Sequence, residues 1–410
     1  MAELILVTIV SWVIIDPVVV DTYDVNRPLG YDADRICLIG ISELDEEARG
    51  YDPGRGWSNR EDLTSLLNRV RQHPQIESAT LLRNEVYFNA SSDLNRSFTV
   101  DDSIDIQVNQ TWFDPNTDFF ATYGIKGIEG APSAEKLDRM AYGPSDIVIT
   151  NSFAKAMFPE GDAIGKNIVT KDYGYGSDSY HVVGIVEDIR PKSYSRNTMA
   201  MLKLTNDNDN IGSPHLLIRV RPGVNMNNFI ADFRPWMLKE LKVGNMSCRT
   251  IIPYSKRNAD VEYQVGGNAI TLKKILALFF LINLALGVTG TFWLQTRTRS
   301  QDVGIMRSFG ATPSRIRTML LAEGTMLTVT AWLIGCIIYL QWGIHEGLSN
   351  GREVQWPSPF DTGWVCSFWP HFFGVSAIVL ALMLAVVMLG VWLPARKLSR
   401  IDPVDVLHEN

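Results

Sequence analysis

Four long runs of apolar residues interrupt an otherwise mixed pattern of hydrophobic and polar positions. They cover residues 4–20, 276–294, 318–342 and 372–393. The second and fourth runs carry no charged side chain, and the other two carry one each, Asp16 and Glu323. Each run is close to the roughly 20 residues that an α-helix needs to cross about 30 Å of hydrocarbon. The pattern predicts four transmembrane helices, which we place at 1–23, 271–295, 314–342 and 371–394.

The alternative for any single run is a helix buried in a soluble core. It is weakest for the last three runs, because buried helices seldom extend this far without charge. The first run is shorter and contains Asp16-Pro17, so a buried helix stays open there. A cleaved signal peptide fits this run poorly, since it has neither a basic start nor a small-residue cleavage site.

Basic residues beside the runs predict the orientation of the chain. The segment 296–317 holds five arginines against one acid, and three basic residues follow the fourth run. Because positively charged loops stay in the cytoplasm, the loop 296–313 and the tail 395–410 are expected there, together with the N-terminus. Residues 24–270 and the loop 343–370 then lie outside. Lys273 and Lys274 lie at the outer end of the second run, and these two positive charges favour the opposite orientation more weakly.

Residues 24–270 alternate between helical and strand-like patterns. Apolar residues at helical spacing predict helices over 59–72, 151–158 (with Asn151 as N-cap) and 227–241, the last containing Pro235. Short β-branched or alternating stretches predict strands at 76–82, 86–88, 104–108, 147–149, 182–186 and 216–220. The expected fold class is therefore membrane α-helical, with four transmembrane helices, plus a large α/β extracytoplasmic domain of two subdomains.

Composition narrows the function classes. With 46% hydrophobic residues the chain has enough apolar surface for a folded core, which excludes bulk disorder. A net charge of −7 argues against nucleic acid as a partner. The four cysteines form no C-x-x-C pair and no metal-binding spacing, and the disulfide state of Cys37 and Cys248 stays open.

No motif in the chain indicates catalysis or a bound cofactor. The segment Gly161–Lys166 is one residue short of a phosphate-binding loop, follows a predicted helix, and continues with Asn167 where a hydroxyl would hold Mg²⁺. A turn after a helix is the better interpretation. His345-Glu346 lacks the second histidine of a zinc protease helix. We therefore predict that the chain is not an enzyme and has no catalytic, cofactor or metal site.

Four motifs resemble the MacB/FtsX-like permease family of ABC transporters, the mechanotransmission class. In the stretch 297–324 the matching positions are Asp302, Val303, Gly304, Arg307, Gly310 and Ala311. The stretches 147–168 and 182–188 are similar to the family's MacB-like periplasmic core domain, with Ala163 in place of a proline. The segment 394–407 is similar to the family's C-terminal end. The family usually has a basic amphipathic segment before the first span, whereas Met1–Glu3 precede it here, so either the start is mis-assigned or the segment is lost.

The resemblance implies that residues 302–310 form a coupling helix. Its residues would be Asp302, Val303, Gly304, Ile305, Met306, Arg307, Phe309 and Gly310. Val303, Met306 and Phe309 are expected on one apolar side, Gly310 is expected to end the helix, and Thr312-Pro313 to begin the next. Without the resemblance, a helix lying on anionic lipid would be nearly as good an interpretation.

Two acidic residues lie inside predicted spans and are functional candidates by default. Glu323 also matches a recurring glutamate of the family, which implies a hydrogen bond between helices. The alternative is a side chain near the interface that extends to water. For Asp16 the favoured interpretation is contact with headgroup water or capping of the helix beyond.

The resemblance also implies function and partners. We expect a multi-pass protein of the inner membrane that couples ATP hydrolysis by a separate cytoplasmic ATP-binding subunit to its periplasmic domain, for efflux of antimicrobial compounds or peptides. A dimer, with an identical chain or a sister permease, is implied, and a periplasmic adaptor and an outer-membrane duct are further candidate partners besides lipid. The alternatives are a lipoprotein-extracting permease and a non-transporting sensor or regulator of cell-wall enzymes.

Overall fold

The computed structural model describes residues 1–56, 59–82, 94–100, 104–159, 161–172, 176–190, 193, 199–204, 214–298, 300–349 and 363–398. Its contacts divide the chain into two compact units. The membrane unit contains Met1–Tyr23 and the long helices after Ala269, and the α/β unit contains Asp24–Asn268.

The described helices and strands are as follows. The helices are α1 (Ala2–Val25), α2 (Arg60–Arg71), α3 (Phe119–Tyr123), α4 (Ala134–Arg139), α5 (Asn151–Met157), α6 (Met226–Glu240), α7 (Tyr254–Glu262), α8 (Asn268–Thr298), α9 (Ser300–Ser308), α10 (Pro313–Glu346) and α11 (Phe368–Leu398). The strands are β1 (Ile36–Glu43), β2 (Ile76–Leu82), β3 (Leu94–Val100), β4 (Ile104–Phe113), β5 (Asp146–Thr150), β6 (Asn167–Val169), β7 (Ser179–Val186), β8 (Met199–Leu204), β9 (His215–Val220), β10 (Lys242–Val243) and β11 (Met246–Pro253). A π-helical turn, Tyr263–Gly267, connects α7 to α8.

The four predicted spans are confirmed as helices. Among the described residues, α1, α8, α10 and α11 are long and apolar enough to cross a membrane. The third is longer than its apolar run because Thr312 caps its start and Pro313 occupies the first turn, where a missing N–H costs nothing. Together with the α/β unit, these helices confirm the predicted fold class.

Aromatic stacking and close helix contact hold the membrane unit together. Trp12 of α1 is fully buried and stacks on Tyr339 of α10, at 4.4 Å between ring centroids, and on Phe372 of α11, at 5.3 Å. One turn before Trp12, Thr8 lies against Gly335 of α10, where an added Cβ would come within 2.7 Å of the threonine side chain. Small residues at such crossings let helix backbones approach closely, which is how membrane helices gain packing energy.

The α/β unit contains two separate sheets. The first has the order β10-β11-β1-β9-β2 and is antiparallel throughout, and its outer face is covered by α2 and α6. The second has the order β3-β4-β8-β5-β7-β6 and is mixed, with parallel pairs β4–β8 and β5–β7. A core of residues from both sheets and from α3 and α4 joins them, so the two sheets belong to one unit.

Most predicted elements of this unit are present with shifted ends. The helix predicted over 59–72 is α2, and the one predicted over 227–241 is α6, which accommodates Pro235. The N-cap of α5 is Thr150, one residue before the predicted Asn151. The prediction omitted six described strands and three described helices of this unit, namely β1, β3, β6, β8, β10, β11, α3, α4 and α7. The predicted strand at 86–88 lies outside the described residues.

The register of the first sheet answers the question of a disulfide between Cys37 and Cys248. Cys37 on β1 lies opposite Pro253, whereas Cys248 on β11 lies opposite Ile41. The two cysteines are thus offset by four residues, about 13 Å along the sheet. A disulfide needs Cα atoms roughly 4–7 Å apart. Both thiols are free and buried.

Asp138 of α4 holds the start of α3. Its carboxyl accepts the backbone N–H groups of Phe120 and Ala121, each at 2.9 Å. Burial raises the pKa of Asp138 to about 7 and outweighs the lowering by these amide donors. The folded α/β unit therefore keeps this carboxyl protonated at a pH where the unfolded chain has ionised it.

We expect the wild-type protein to lose stability relative to the Asp138→Asn variant as the pH rises from about 4 to about 7. The unfolded chain releases the proton in this window while the folded chain holds it, so the free energy of unfolding falls by up to about 1.4 kcal/mol per pH unit. Pulse proteolysis of the full-length protein in urea measures this free energy. Parallel pH profiles for the two proteins would contradict the prediction.

Candidate functional site

The short helix α9 is fixed in place at its C-terminal end. Gly310 adopts a φ of +88°, and its N–H bonds to the carbonyl of Arg307 at 3.0 Å. The N–H of Ala311 bonds to the carbonyl of Met306, also at 3.0 Å. These two bonds form a Schellman motif, which confirms the role predicted for Gly310. The chain then enters α10 through the cap formed by Thr312, whose hydroxyl accepts the N–H of Arg315.

One face of α9 is open to the surroundings. Asp302, Ile305, Met306 and Phe309 follow the helical spacing i, i+3, i+4, i+7 and are all exposed. The exposed fractions of the three apolar side chains are 50%, 37% and 88% in that order. We call these four residues the α9 face. It combines apolar surface with one carboxylate.

The opposite side of α9 is packed against the membrane unit. Val303 is only 3% exposed and belongs to the same core as Ile316 and Leu320 of α10. Gly304 beside it is also buried, and Arg307 is half-buried. The prediction that Val303 shares a face with Met306 and Phe309 is therefore wrong. Val303 anchors the helix in the core. The third apolar residue on the open side is Ile305, where the sequence pattern predicts Val303.

Asp16 is buried within the protein and does not extend to headgroup water, which was the favoured interpretation from the sequence. Its side chain is fully buried and contacts His371 of α11, with 2.6 Å between Asp16 Oδ1 and His371 Nε2. The other carboxyl oxygen accepts the N–H of Ser349 at 3.1 Å. Sequence reasoning missed His371, which comes directly before the fourth apolar run. The available signal was that His371 lies at the edge of an uncharged run while the first run contains an acid, Asp16.

Glu323 lies on α10 between two and three turns after Pro313, at the depth that the sequence predicts. It is half-buried, and its neighbour Gly324 is buried. Glu323 and Asp16 lie on different helices, α10 and α1, and the α9 face is on a third.

The phosphate-loop-like segment is a structural turn. It follows α5, as predicted, and Gly165 adopts a φ of +81° while its N–H bonds to the carbonyl of Val182 at 2.8 Å. Lys166 lies over the ring of Phe158, with Nζ at 4.5 Å from the centroid. Among the described residues, no group of three or more His, Cys, Asp or Glu side chains could hold a metal ion.

Comparison with known proteins places these features in context. Residues 274–403 match the family model described as FtsX-like permease C-terminal. The chain is 24% identical over 395 residues to the probable export ATP-binding/permease protein MacB of Pseudomonas entomophila, covering 90% of this chain and 54% of that protein. It is 23% identical over 315 residues to the macrolide export ATP-binding/permease protein MacB of Chromobacterium violaceum, covering 74% and 44%. The chain spans about half the length of these curated relatives.

A solved structure with similarity to this chain is the periplasmic region of MacB from Actinobacillus actinomycetemcomitans. The sequence identity is 14%, the TM-score is 0.31, and the match covers 59% of this chain and 99% of that one.

We expect Gly310→Ala to loosen the end of α9, because a side chain at this positive φ costs about 1 kcal/mol. Deuterium exchange of the peptide 300–312 should then be about fivefold faster. The matched control is Gly287→Ala on α8, where an added Cβ meets no atom within 4 Å and φ is not positive. Equal exchange in the Gly310 variant and the wild type would show that the glycine does not determine the end of the helix.

Proposed function

We propose that this chain, which belongs to the MacB/FtsX-like permease family, is the membrane subunit of an ABC transporter. In this proposal a separate ATP-binding subunit docks on the α9 face and drives movement of the membrane helices. The movement of the helices is transmitted to the α/β unit.

The observation that carries the proposal is the two-sided packing of α9. Its outer side presents Ile305, Met306 and Phe309 to a partner, while its inner side inserts Val303 into the core of the membrane unit. A partner that displaces α9 therefore displaces α10 as well, because Val303 and Ile316 share one core and only Thr312 separates the Schellman motif, which ends at Ala311, from Pro313. A helix that merely lay on lipid would not need this anchor.

The charge around α9 supports a cytoplasmic position. Arg307 lies in the last turn of α9 and Arg315 in the first turn of α10, and the sequence adds three more arginines in 296–317. By the positive-inside rule the loop and both termini are cytoplasmic, and the α/β unit lies in the periplasm. We place the protein in the inner membrane, working as a pair of permease chains because ATP-binding subunits act in pairs.

The proposed substrate class rests on the names of the relatives. Two of them carry names that describe export, one of macrolides, so we propose export of hydrophobic antimicrobial compounds or peptides. A periplasmic adaptor and an outer-membrane duct would complete such a route.

We expect Met306→Asp and Phe309→Asp to abolish association with the ATP-binding subunit, because each places a carboxylate in the centre of an apolar contact. ATPase activity that copurifies with the detergent-solubilised chain should fall at least about tenfold. Ser314→Asp is the control, since it adds the same charge at an exposed position of α10 beyond α9. Both Asp variants should insert into the membrane normally, because neither side chain is buried.

Undiminished ATPase activity in both α9 variants would contradict docking at this face. Equal loss in the Ser314 control would assign the effect to charge in general. Gly304→Asp is a poorer test, because Gly304 is buried and an acid there perturbs the packing of the helix itself.

We expect a membrane-impermeant maleimide to label Cys366 from the periplasmic side of cells with a permeabilised outer membrane. Cys366 is half-exposed in the segment before α11, whereas Cys37, Cys248 and Cys336 are buried and should react only after denaturation. Mass spectrometry of the labelled peptides separates the four sites. Labelling of Cys366 only in inverted vesicles would reverse the proposed orientation.

A further inference from the structure

We propose that Asp16 and His371 form a proton-binding site inside the membrane unit, and that the bound proton ties both ends of the α10–α11 connection to α1. The inference stands apart from the proposed function, since it involves no ATP-binding partner. The connection is the chain between Glu346 and Phe368, of which residues 347–349 and 363–367 are described.

Three contacts converge on the pair. Asp16 Oδ2 accepts the N–H of Ser349, at the start of the connection, at 3.1 Å. Asp16 Oδ1 lies 2.6 Å from His371 Nε2. His371 Nδ1 lies 2.7 Å from the carbonyl oxygen of Val365, at the end of the connection. One side chain of α1 thereby holds both ends of the connection, one directly and the other through the imidazole ring.

These distances fix the number of protons that the pair must hold. The carbonyl of Val365 is only an acceptor, so Nδ1 has to carry a proton. The contact between Nε2 and the carboxyl also needs a proton, on one atom or the other. A neutral imidazole supplies one proton and an ionised carboxylate supplies none. The pair therefore binds one more proton than these two forms would, as imidazolium with carboxylate or as imidazole with carboxylic acid.

Because both side chains are buried, loss of the extra proton would destabilise the site. Both side chains are 0% exposed. The stacked rings of Trp12 and Phe372 lie nearby on α1 and α11, and the ring of Trp364 lies edge-on to His371, at 6.2 Å between centroids. With the extra proton the pair is neutral overall. Without it, a net negative charge remains in a dry site and one of the two imidazole contacts is broken, which is a costly arrangement.

Other titratable groups at this end of the membrane unit come from three elements. They are Asp21 and Tyr23 on α1, Tyr339, His345 and Glu346 on α10, and Cys366 in the connection. Within the described residues none of them is a hydrogen-bond partner of Asp16 or His371. His345 and Glu346 are exposed and lie beside each other. The extra proton therefore belongs to the Asp16–His371 pair.

The Asp16→Asn variant can keep the hydrogen-bond geometry while removing the need for the extra proton. An asparagine can accept the Ser349 N–H with its oxygen and donate from its amide nitrogen to His371 Nε2, while Nδ1–H still bonds to Val365. This variant satisfies all three contacts with a neutral histidine and no extra proton. Asp16→Ala removes the acceptor for Ser349 and the partner of His371 together.

Labelling of Cys366 reports whether the connection is held, because it follows Val365 directly and is only partly exposed. The maleimide rate at Cys366 is measured by peptide mass spectrometry in the full-length protein in detergent, from about pH 5 to about pH 10. Each rate is divided by that of the denatured wild-type chain at the same pH, which cancels the ionisation of the thiol itself.

We expect the wild-type ratio to be low in acid and to rise with increasing pH by up to about tenfold per pH unit, as the release of one proton requires. Asp16→Asn should stay low throughout, and Asp16→Ala should be high throughout. A wild-type ratio that does not depend on pH would overturn the proposal. So would an Asp16→Asn profile that rises in the same way as that of the wild type, or an Asp16→Ala ratio as low as that of the wild type in acid.

Discussion

Hydrocarbon offers no hydrogen-bond partner, and this constraint shapes the membrane unit. Every backbone N–H and carbonyl in a span has to be satisfied within the protein, which is why the four apolar runs form long helices. The hydroxyls obey the same rule. Thr8, Thr325 and Thr328 each donate to the carbonyl four residues earlier in their own helix. Side chains that cannot be satisfied this way need a partner on another helix, and Asp16 finds one in His371.

The two ends of the membrane unit meet this constraint in opposite ways. At the α9 end, polar and apolar groups are sorted by helical position, so that Val303 is buried while Ile305 and Phe309 stay open. An open apolar face of this kind is stable only against lipid or a partner protein. At the other end, the N–H of Ser349 and the carbonyl of Val365 are bonded to the buried side chains of Asp16 and His371. One end is therefore suited to association and the other to internal closure.

Much of the fold could be predicted from the sequence, because the strongest signals are local. Absence of charge over about 20 residues predicts a span, and helical spacing of apolar residues predicts α2 and α6. The strand β1 was missed because it is buried on nearly all sides, so that its apolar residues do not alternate and a short run of them has no diagnostic period. The Asp16–His371 contact joins residues 355 positions apart, and no local pattern contains that information. The same holds for the side of α9 that faces the core, since positions 303 and 306 are close enough in helical angle for either grouping.

A buried acid–histidine pair is rarely the most stable way to fill a helix contact. Well-packed apolar side chains of similar volume are often as good or better, because they avoid the cost of removing two polar groups from water. The pair provides specificity, because it is satisfied by only one set of partners. Leucine at position 16 could pack against many neighbours, whereas the carboxyl of Asp16 is satisfied only where the N–H of Ser349 and the ring nitrogen of His371 are both within reach. The contact therefore fixes which part of the α10–α11 connection lies on α1, and at what height along the helix. Trp12 and Thr8 then pack on Tyr339 and Gly335 at successive turns below it, so the polar contact sets the register in which the apolar contacts of α1 and α10 fit.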